Sequence, residues 1–315
     1  MAKTRKVHPA WIAAAITWMT LVAAAGYRSA PSVLIVPLEE AFGWSRSQIS
    51  LAISVNILLY GLTAPFAAAL MERFTVRKVV MSALAAVSLG AFGTIFMNAP
   101  WQLVLLWGVV VGVGTGSMAL VFAATIASRW FLQRRGLVTG ALTAAAATGQ
   151  LVFLPALSSI AINHGWKSVS ITIAVAAAAV IPLIWWGLNE DPVAIGAKPY
   201  GAPEDWQAPA KLQGNAARNA IDALKNGSKH KDFWLLFGTF FVCGLTTNGL
   251  IGTHFIPAAH DHGMGEVVAA SLLALIGVFD VIGTLGSGYL TDRVDPRKLL
   301  VFYYGFRGKI GRAHV

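Results

Sequence analysis

The sequence predicts an all-α integral membrane protein, and three observations carry that prediction. Of its 315 residues 56% are hydrophobic and only 12% charged, against roughly 25% charged in soluble domains. Apolar stretches of about 20 residues or more recur along the chain, each long enough to cross a bilayer, and the cations gather on one side of them. Hydrocarbon offers the backbone no partners, so each such stretch must be a helix that satisfies its own N–H and C=O groups. A soluble enzyme and a nucleic-acid-binding domain are excluded by the same composition.

Eight spans are predicted, over residues 11–37, 48–70, 78–97, 101–128, 136–161, 167–188, 233–257 and 266–290, and a ninth begins at Leu299. The first is too long for the apolar core of a signal peptide and lacks a convincing cleavage site, so it is read as retained. With the spans alternating in direction, 18 of the 24 Lys and Arg fall on the side of Lys3, Arg5 and Lys6, and two, Arg46 and Lys167, on the other. That asymmetry places the amino terminus in the cytoplasm. The formal charge of +10 is therefore an orientation signal rather than a nucleic-acid footprint.

Residues 190–232 are rich in proline (Pro192, Pro199, Pro203, Pro209) and carry charges of both signs, the composition of a cytoplasmic linker. Within it, Ala217, Ile221 and Leu224 recur at helical spacing over 215–231; a surface helix fits that spacing, and a partly ordered connector is the favoured reading. The chain then divides into a six-span first half (1–189), the linker (190–232) and a partial second half (233–309).

One constant offset brings the halves into register. Pro37 meets Pro257, Gly43 meets Gly263, and Leu70, Arg73, Arg77 and Lys78 meet Leu290, Arg293, Arg297 and Lys298, with Glu72 opposite Asp292. Span one maps on span seven, so the repeat is parallel, one of the described transporter architectures.

The repeated loop carries a resemblance. Gly288, Tyr289, Leu290, Thr291, Asp292, Arg293, then Arg297 and Lys298 are similar to the G-x-L-x-D-R-x-G-R-R/K loop of the major facilitator superfamily. The first copy departs from it, with Ala68 and Thr75 in place of glycines and Glu72 in place of aspartate. Between spans four and five, Phe131, Arg134, Arg135, Leu137, Gly140, Ala144 and Gly149, together with the stretch 41–50 (AFGWSRSQIS), resemble the monocarboxylate transporters and their oxalate/formate-antiporter-like bacterial branch. The resemblance implies a bundle of two six-helix halves, of which this chain holds the first and two to three helices of the second. It also implies a bacterial inner (plasma) membrane location. The last residues, Ile310 to Val315, read like translated sequencing adapter and are expected to be non-native, leaving spans nine to twelve missing and the fragment alone unable to transport.

Charges inside spans are costly, and only Arg28 and Asp280 fall clearly inside one, so each should face the bundle interior or a wet cavity. Guanidinium binds carboxylate through two parallel hydrogen bonds and stays protonated, which makes Arg28 a candidate dock for an anionic group. Asp280 is the candidate proton carrier. The plainer readings, a snorkelling or structurally paired arginine and an aspartate held by a structural hydrogen bond, stand beside these. In monocarboxylate transporters an eighth-span aspartate is followed four residues later by arginine; here that position is Thr284, and Arg28 is the candidate replacement. Asn56, Tyr60, Gln150 and Asn248 are further candidate substrate ligands. Under the same offset Arg28 corresponds to Asn248 and Tyr60 to Asp280, placing the four at related depths. Interhelical packing is an equal alternative for the neutral ones.

Glu72, Arg73 and Arg77, and Asp292, Arg293 and Arg297, are expected to act as gate latches, pairing across the halves or onto neighbouring helix ends. Gly108, Gly112, Gly114 and Gly116 lack the lysine and strand context of a phosphate loop and are read as helix-packing positions. His254, His260, Asp261 and His262 read as a solvated mouth rather than a metal site. Cys243 is the sole cysteine, so no internal disulfide or multi-cysteine cluster can form. No serine, histidine and acid arrangement points to an intramembrane hydrolase, and no cofactor is expected. The resemblance implies a monomeric, proton-coupled secondary transporter of a small organic anion, a monocarboxylate by preference, working by alternating access. Organic-anion exchange without net proton movement and a non-transporting ligand sensor are the competing expectations.

Overall fold

The computed structural model describes residues 8–118, 120–208 and 216–310; within these, the side chains of Ser29, Ala216, Ala217, Asn248 and residues 307–310 are left undescribed. Seven helices are long and apolar enough to cross a membrane. One of them, Arg135–Gly187, has 53 residues and is two spans in one, broken where Gly165 adopts φ 78, ψ 170. A backbone with that φ suits glycine, which has no Cβ to clash. The eight spans are thus Pro9–Phe42, Arg46–Arg73, Val76–Thr94, Pro100–Trp130, residues 135–164 and 166–187, Lys231–Asp261 and Glu266–Thr291. A further helix, Pro296–Ile310, follows. The protein is a multi-pass integral membrane helix bundle.

Span ends follow local chemistry. Span one begins at Pro9, whose missing N–H costs nothing in a first turn, with the His8 ring accepting from the Ala10 N–H, and it stops at Gly43 with φ 66. Span two starts in a reciprocal cap, where Ser45 Oγ accepts from the Gln48 N–H and Gln48 Oε1 from the Ser45 N–H, satisfying two donors that the first turn leaves open. Spans four and seven each contain a wide π-helical stretch, Val104–Val111 and Leu245–Ile251.

Glycines set how closely the helices approach. Gly108, Gly112 and Gly116 lie one turn apart on span four. An added Cβ would lie 3.1 Å from Ala52 O, 3.0 Å from Asn56 Cα and 2.8 Å from Tyr60 O, so this stripe packs directly on span two. Gly114 turns to span three, where a Cβ would lie 2.8 Å from Val87. Gly149 of span five abuts Val22 and Ala25 of span one, and Gly140 abuts Gly288 of span eight. Without a hydrophobic force between helices in lipid, this close backbone approach is how they hold together.

Part of the linker takes regular structure. The surface helix that the spacing allowed forms over Ala216–Gly227 near span two, with Ile221 and Leu224 left exposed. Upstream, Tyr200 is tied to the loop after span four, its N–H donating to Trp130 O at 2.7 Å and its C=O accepting from the Leu132 N–H at 3.0 Å. Its ring joins those of His8, Trp11 and Phe131 in an edge-to-face cluster.

Thr75, which stands where the loop signature has glycine, sits at φ 131, ψ 145 while its hydroxyl accepts from the Lys78 N–H. A β-branched residue there costs on the order of 1–3 kcal/mol, whereas replacing a threonine cap by glycine costs only a few tenths. Thr75→Gly is therefore expected to stabilise the bundle by about 1 kcal/mol, read as a higher unfolding midpoint in detergent. Thr75→Ala, which keeps the strain and loses the cap, should lower it.

Candidate functional site

Helix rise alone places the two in-span charges near mid-depth. Arg28 lies about four helical turns before the end of span one at Phe42, Tyr60 about four turns after Arg46, and Asp280 about four turns after Glu266. At about 1.5 Å per residue each is roughly 21 Å from the same face of the bundle, the one opposite the amino terminus.

Arg28 and Tyr60 meet. The guanidinium Nη1 donates to the Tyr60 hydroxyl at 3.2 Å, and its Cζ lies 4.7 Å from the centre of the Tyr60 ring, so both the lone pair and the π face receive the cation. Both side chains are half-buried. Tyr60 is held from behind by span four, because Gly116 lets that helix reach the Tyr60 backbone. Tyr27, next to Arg28, is 2% exposed, and its hydroxyl lacks a hydrogen-bond partner among the described residues.

Asn56 sits one turn from Tyr60, but its amide donates to Trp107 O at 2.7 Å, in the π-helical stretch of span four where the regular ladder is disturbed. It turns to the helix interface rather than toward Arg28. Gln150 is half-buried on span five, between Gly149, which meets span one, and Ala147 and Leu151, which meet Gly277 of span eight. The backbone of Asn248 lies in the π-helical stretch of span seven, and its side chain lies outside the described residues.

Gly277 and Gly288 pack on span five, as does the Thr284 carbonyl, over which an added Cβ at Gly140 would lie at 2.8 Å. Asp280 belongs to the same small-and-polar stripe by spacing, yet its side chain is on the exposed flank. Thr284 Oγ1 donates to the Asp280 carbonyl, not to its carboxylate. Among the described residues no ion pair joins Arg28 to Asp280.

The two halves are joined at both faces. On the amino-terminal face, Asp292 Oδ1 and Oδ2 accept from the N–H groups of Gly136 and Leu137, at 2.8 and 3.0 Å. A carboxylate thus caps the first turn of span five, where unsatisfied N–H groups and the helix dipole favour an anion. Only glycine fits at 136, since a Cβ there would lie 2.7 Å from Gly288 O. On the opposite face, Arg46 grips two carboxylates: Glu39 at 3.0 and 3.1 Å and Asp261 at 2.6 and 3.2 Å. Asp261 belongs to span seven, so this triad also crosses between the halves.

The remaining charged residues of the two loops stay local. Arg77 donates to Leu188 O at 2.7 Å and to Asn189 Oδ1 at 3.4 Å, binding the end of span six. Arg73 lies over the Phe74 ring and Arg293 over the Tyr289 ring, at 5.2 and 3.8 Å. Among the described residues Glu72 and the Arg297 side chain make no ion pair; the Arg297 N–H donates to Asp295. Sequence reasoning passed over Glu190, which pairs with Arg129 at 2.9 Å and accepts from the Val76 N–H, and over Glu39 and Asp261 as partners of Arg46. The available signal was Arg46 itself, one of only two Lys or Arg on its side of the spans. No group of three potential metal ligands occurs among the described residues.

The Major Facilitator Superfamily model matches residues 16–310. The chain is 26% identical over 294 residues to the MFS-type transporter YcxA of Bacillus subtilis, covering 92% of this chain and 67% of that protein. It is 28% identical over 297 residues to monocarboxylate transporter 11 of Mus musculus, covering 93% of this chain and 62% of that one. To the gallate transporter of Pseudomonas putida it is 24% identical, covering 94% and 70%. It thus spans about two thirds of the length of these relatives. The fold is similar to that of a solved proton:xylose symporter bound to 6-bromo-6-deoxy-D-glucose, with TM-score 0.63 at 15% identity over 90% of this chain and 69% of that one. With the model matching nearly end to end, on a bundle whose halves meet through the repeated loop, the chain belongs to the Major Facilitator Superfamily.

Proposed function

We propose that the full-length protein is a secondary active transporter of a small organic anion, preferentially a monocarboxylate, coupled to protons and working by alternating access. The observation that carries this reading is the mid-depth guanidinium of Arg28, presented by Tyr60 through its hydroxyl and ring inside the bundle. A permanently charged, planar donor at that depth is an anion dock. Tyr60 presents the dock, Gln150 and Asn248 are the further proposed substrate ligands, and Asn56, bonded to Trp107 O, holds span four against span two. Asp280, on the flank of span eight, takes the proton, so the two charged groups serve different ligands. Monocarboxylate and gallate transporters among the relatives support the substrate class.

The amino-terminal face is assigned to the cytoplasm on the cation asymmetry. The Asp292 cap is then the inner latch and the Glu39–Arg46–Asp261 triad the outer one. Alternating access requires releasing one while the other holds.

Removing either latch should therefore bias the protein in a predictable direction. In a Cys243→Ser background carrying Ser54→Cys, Arg46→Gln is expected to speed labelling by an impermeant maleimide from outside several-fold. Asp292→Asn should raise accessibility from the cytoplasmic side instead. Labelling rates that stay as in the parent would remove the latch assignments.

The coupling assignment is tested in proteoliposomes holding the full-length protein and a pH-sensitive dye, with lactate as probe. Wild type should acidify the lumen on lactate addition. Asp280→Asn should abolish that acidification while leaving lactate counterflow. Counterflow without acidification in wild type would favour exchange, binding without either would favour a sensor, and unchanged acidification in the variant would overturn the role of Asp280.

A further inference from the structure

Between the start of span three and the end of span six, on the amino-terminal face, lies a cleft of about 660 Å³ that the transport reading does not use. Its wall is largely apolar, formed by Met81, Ala85, Ile181 and Trp185, with Ser82 beside them. Its head carries Arg77 and Lys78. Beyond the head, the short turn Val193–Ile195 presents Val193 and Ile195 outward, at 49% and 43% exposure.

The charges in and around this cleft do not cancel. Glu190, on its wall, is committed to Arg129 and to the Val76 N–H, and Asp191 accepts from the Ala194 N–H. Arg77 spends Nε on Leu188 O and Nη2 on Asn189. Among the described residues no carboxylate lies within ion-pair distance of the Lys78 ammonium. A cation is therefore left exposed at the head of an apolar trough, at the level where a spanning helix leaves the hydrocarbon.

The second half packs on spans one and five, through Gly136, Gly140 and Ala147 among others. Spans three and six lie away from those contacts, and the exposed Trp185, at 58%, sits where interfacial tryptophans anchor at headgroup level. We infer that this cleft is a binding site for an anionic phospholipid, whose phosphate pairs with Lys78 and Arg77 while an acyl chain lies along Met81, Ala85, Ile181 and Trp185. Basic pockets between spanning helices at the membrane surface suit anionic headgroups. A zwitterionic lipid would bring its own ammonium against Lys78, and a soluble anion would leave the trough's apolar wall in water. A seated lipid would also brace the Arg77 contacts that join span three to the end of span six.

The test is lipid binding to the full-length protein, delipidated in detergent and titrated with phosphatidylglycerol or phosphatidylcholine under native mass spectrometry. Wild type should prefer phosphatidylglycerol about tenfold at one site. Lys78→Gln should cut that preference about fivefold, and Lys78→Arg should keep it. Ala85→Phe, which fills the apolar trough without touching charge, should weaken retention of both lipids, and each variant's unfolding midpoint reports that it is folded. No preference in wild type, an undiminished preference in Lys78→Gln, or full displacement by equimolar sn-glycerol 3-phosphate, the mark of a soluble-anion site, would each overturn the inference.

Discussion

A guanidinium cannot rest in hydrocarbon without partners, and the placement of Arg28 is the constraint that the rest of the bundle answers. Its mid-depth position asks for a hydroxyl and a π face at the same level, and Tyr60 supplies both. Tyr60 is in turn fixed because span four carries glycine at 116, so that its backbone rather than a side chain meets the Tyr60 carbonyl. On the other side, Gly149 lets span five close on span one at Val22 and Ala25. The first half is thus packed by small residues around one large, permanently charged group, and the second half meets it along span five.

The two faces are held by different chemistry. At the amino-terminal face an aspartate of one half caps a helix of the other, and the bond depends on glycine at 136, 140 and 288 as much as on charge. At the opposite face an arginine bridges two solvent-reached carboxylates, an arrangement that salt screens. Conditions that loosen one link therefore leave the other largely intact, as the proposed pair of latches requires.

Much of the architecture was legible because the bilayer enforces it: the spans come from length and composition. The missing glycine at Thr75 was visible as a departure from the loop signature, and the backbone there is strained as that departure implies. Other features needed three dimensions. Arg46 finds Asp261 across 215 residues, a pairing that no local pattern encodes. Asn56 shares a helical stripe with Tyr60, yet a disturbed turn in span four captures its amide. The linker helix, Ala216–Gly227, forms in contact with span two, a neighbour that composition cannot foresee. Spacing puts Asp280 at the depth of Arg28, yet no ion pair joins the two among the described residues, because depth along a helix does not fix which flank a side chain takes.

We propose Arg28 as the group on which the anion docks. Calorimetric titration of the full-length protein with lactate at neutral pH, comparing wild type with Arg28→Gln and Tyr60→Phe, tests it most directly. Loss of a charge-assisted, two-pronged contact worth roughly 1.5–3 kcal/mol predicts lactate affinity at least tenfold weaker in Arg28→Gln and a smaller loss in Tyr60→Phe. Equal affinity in wild type and Arg28→Gln would rule out Arg28 as the dock.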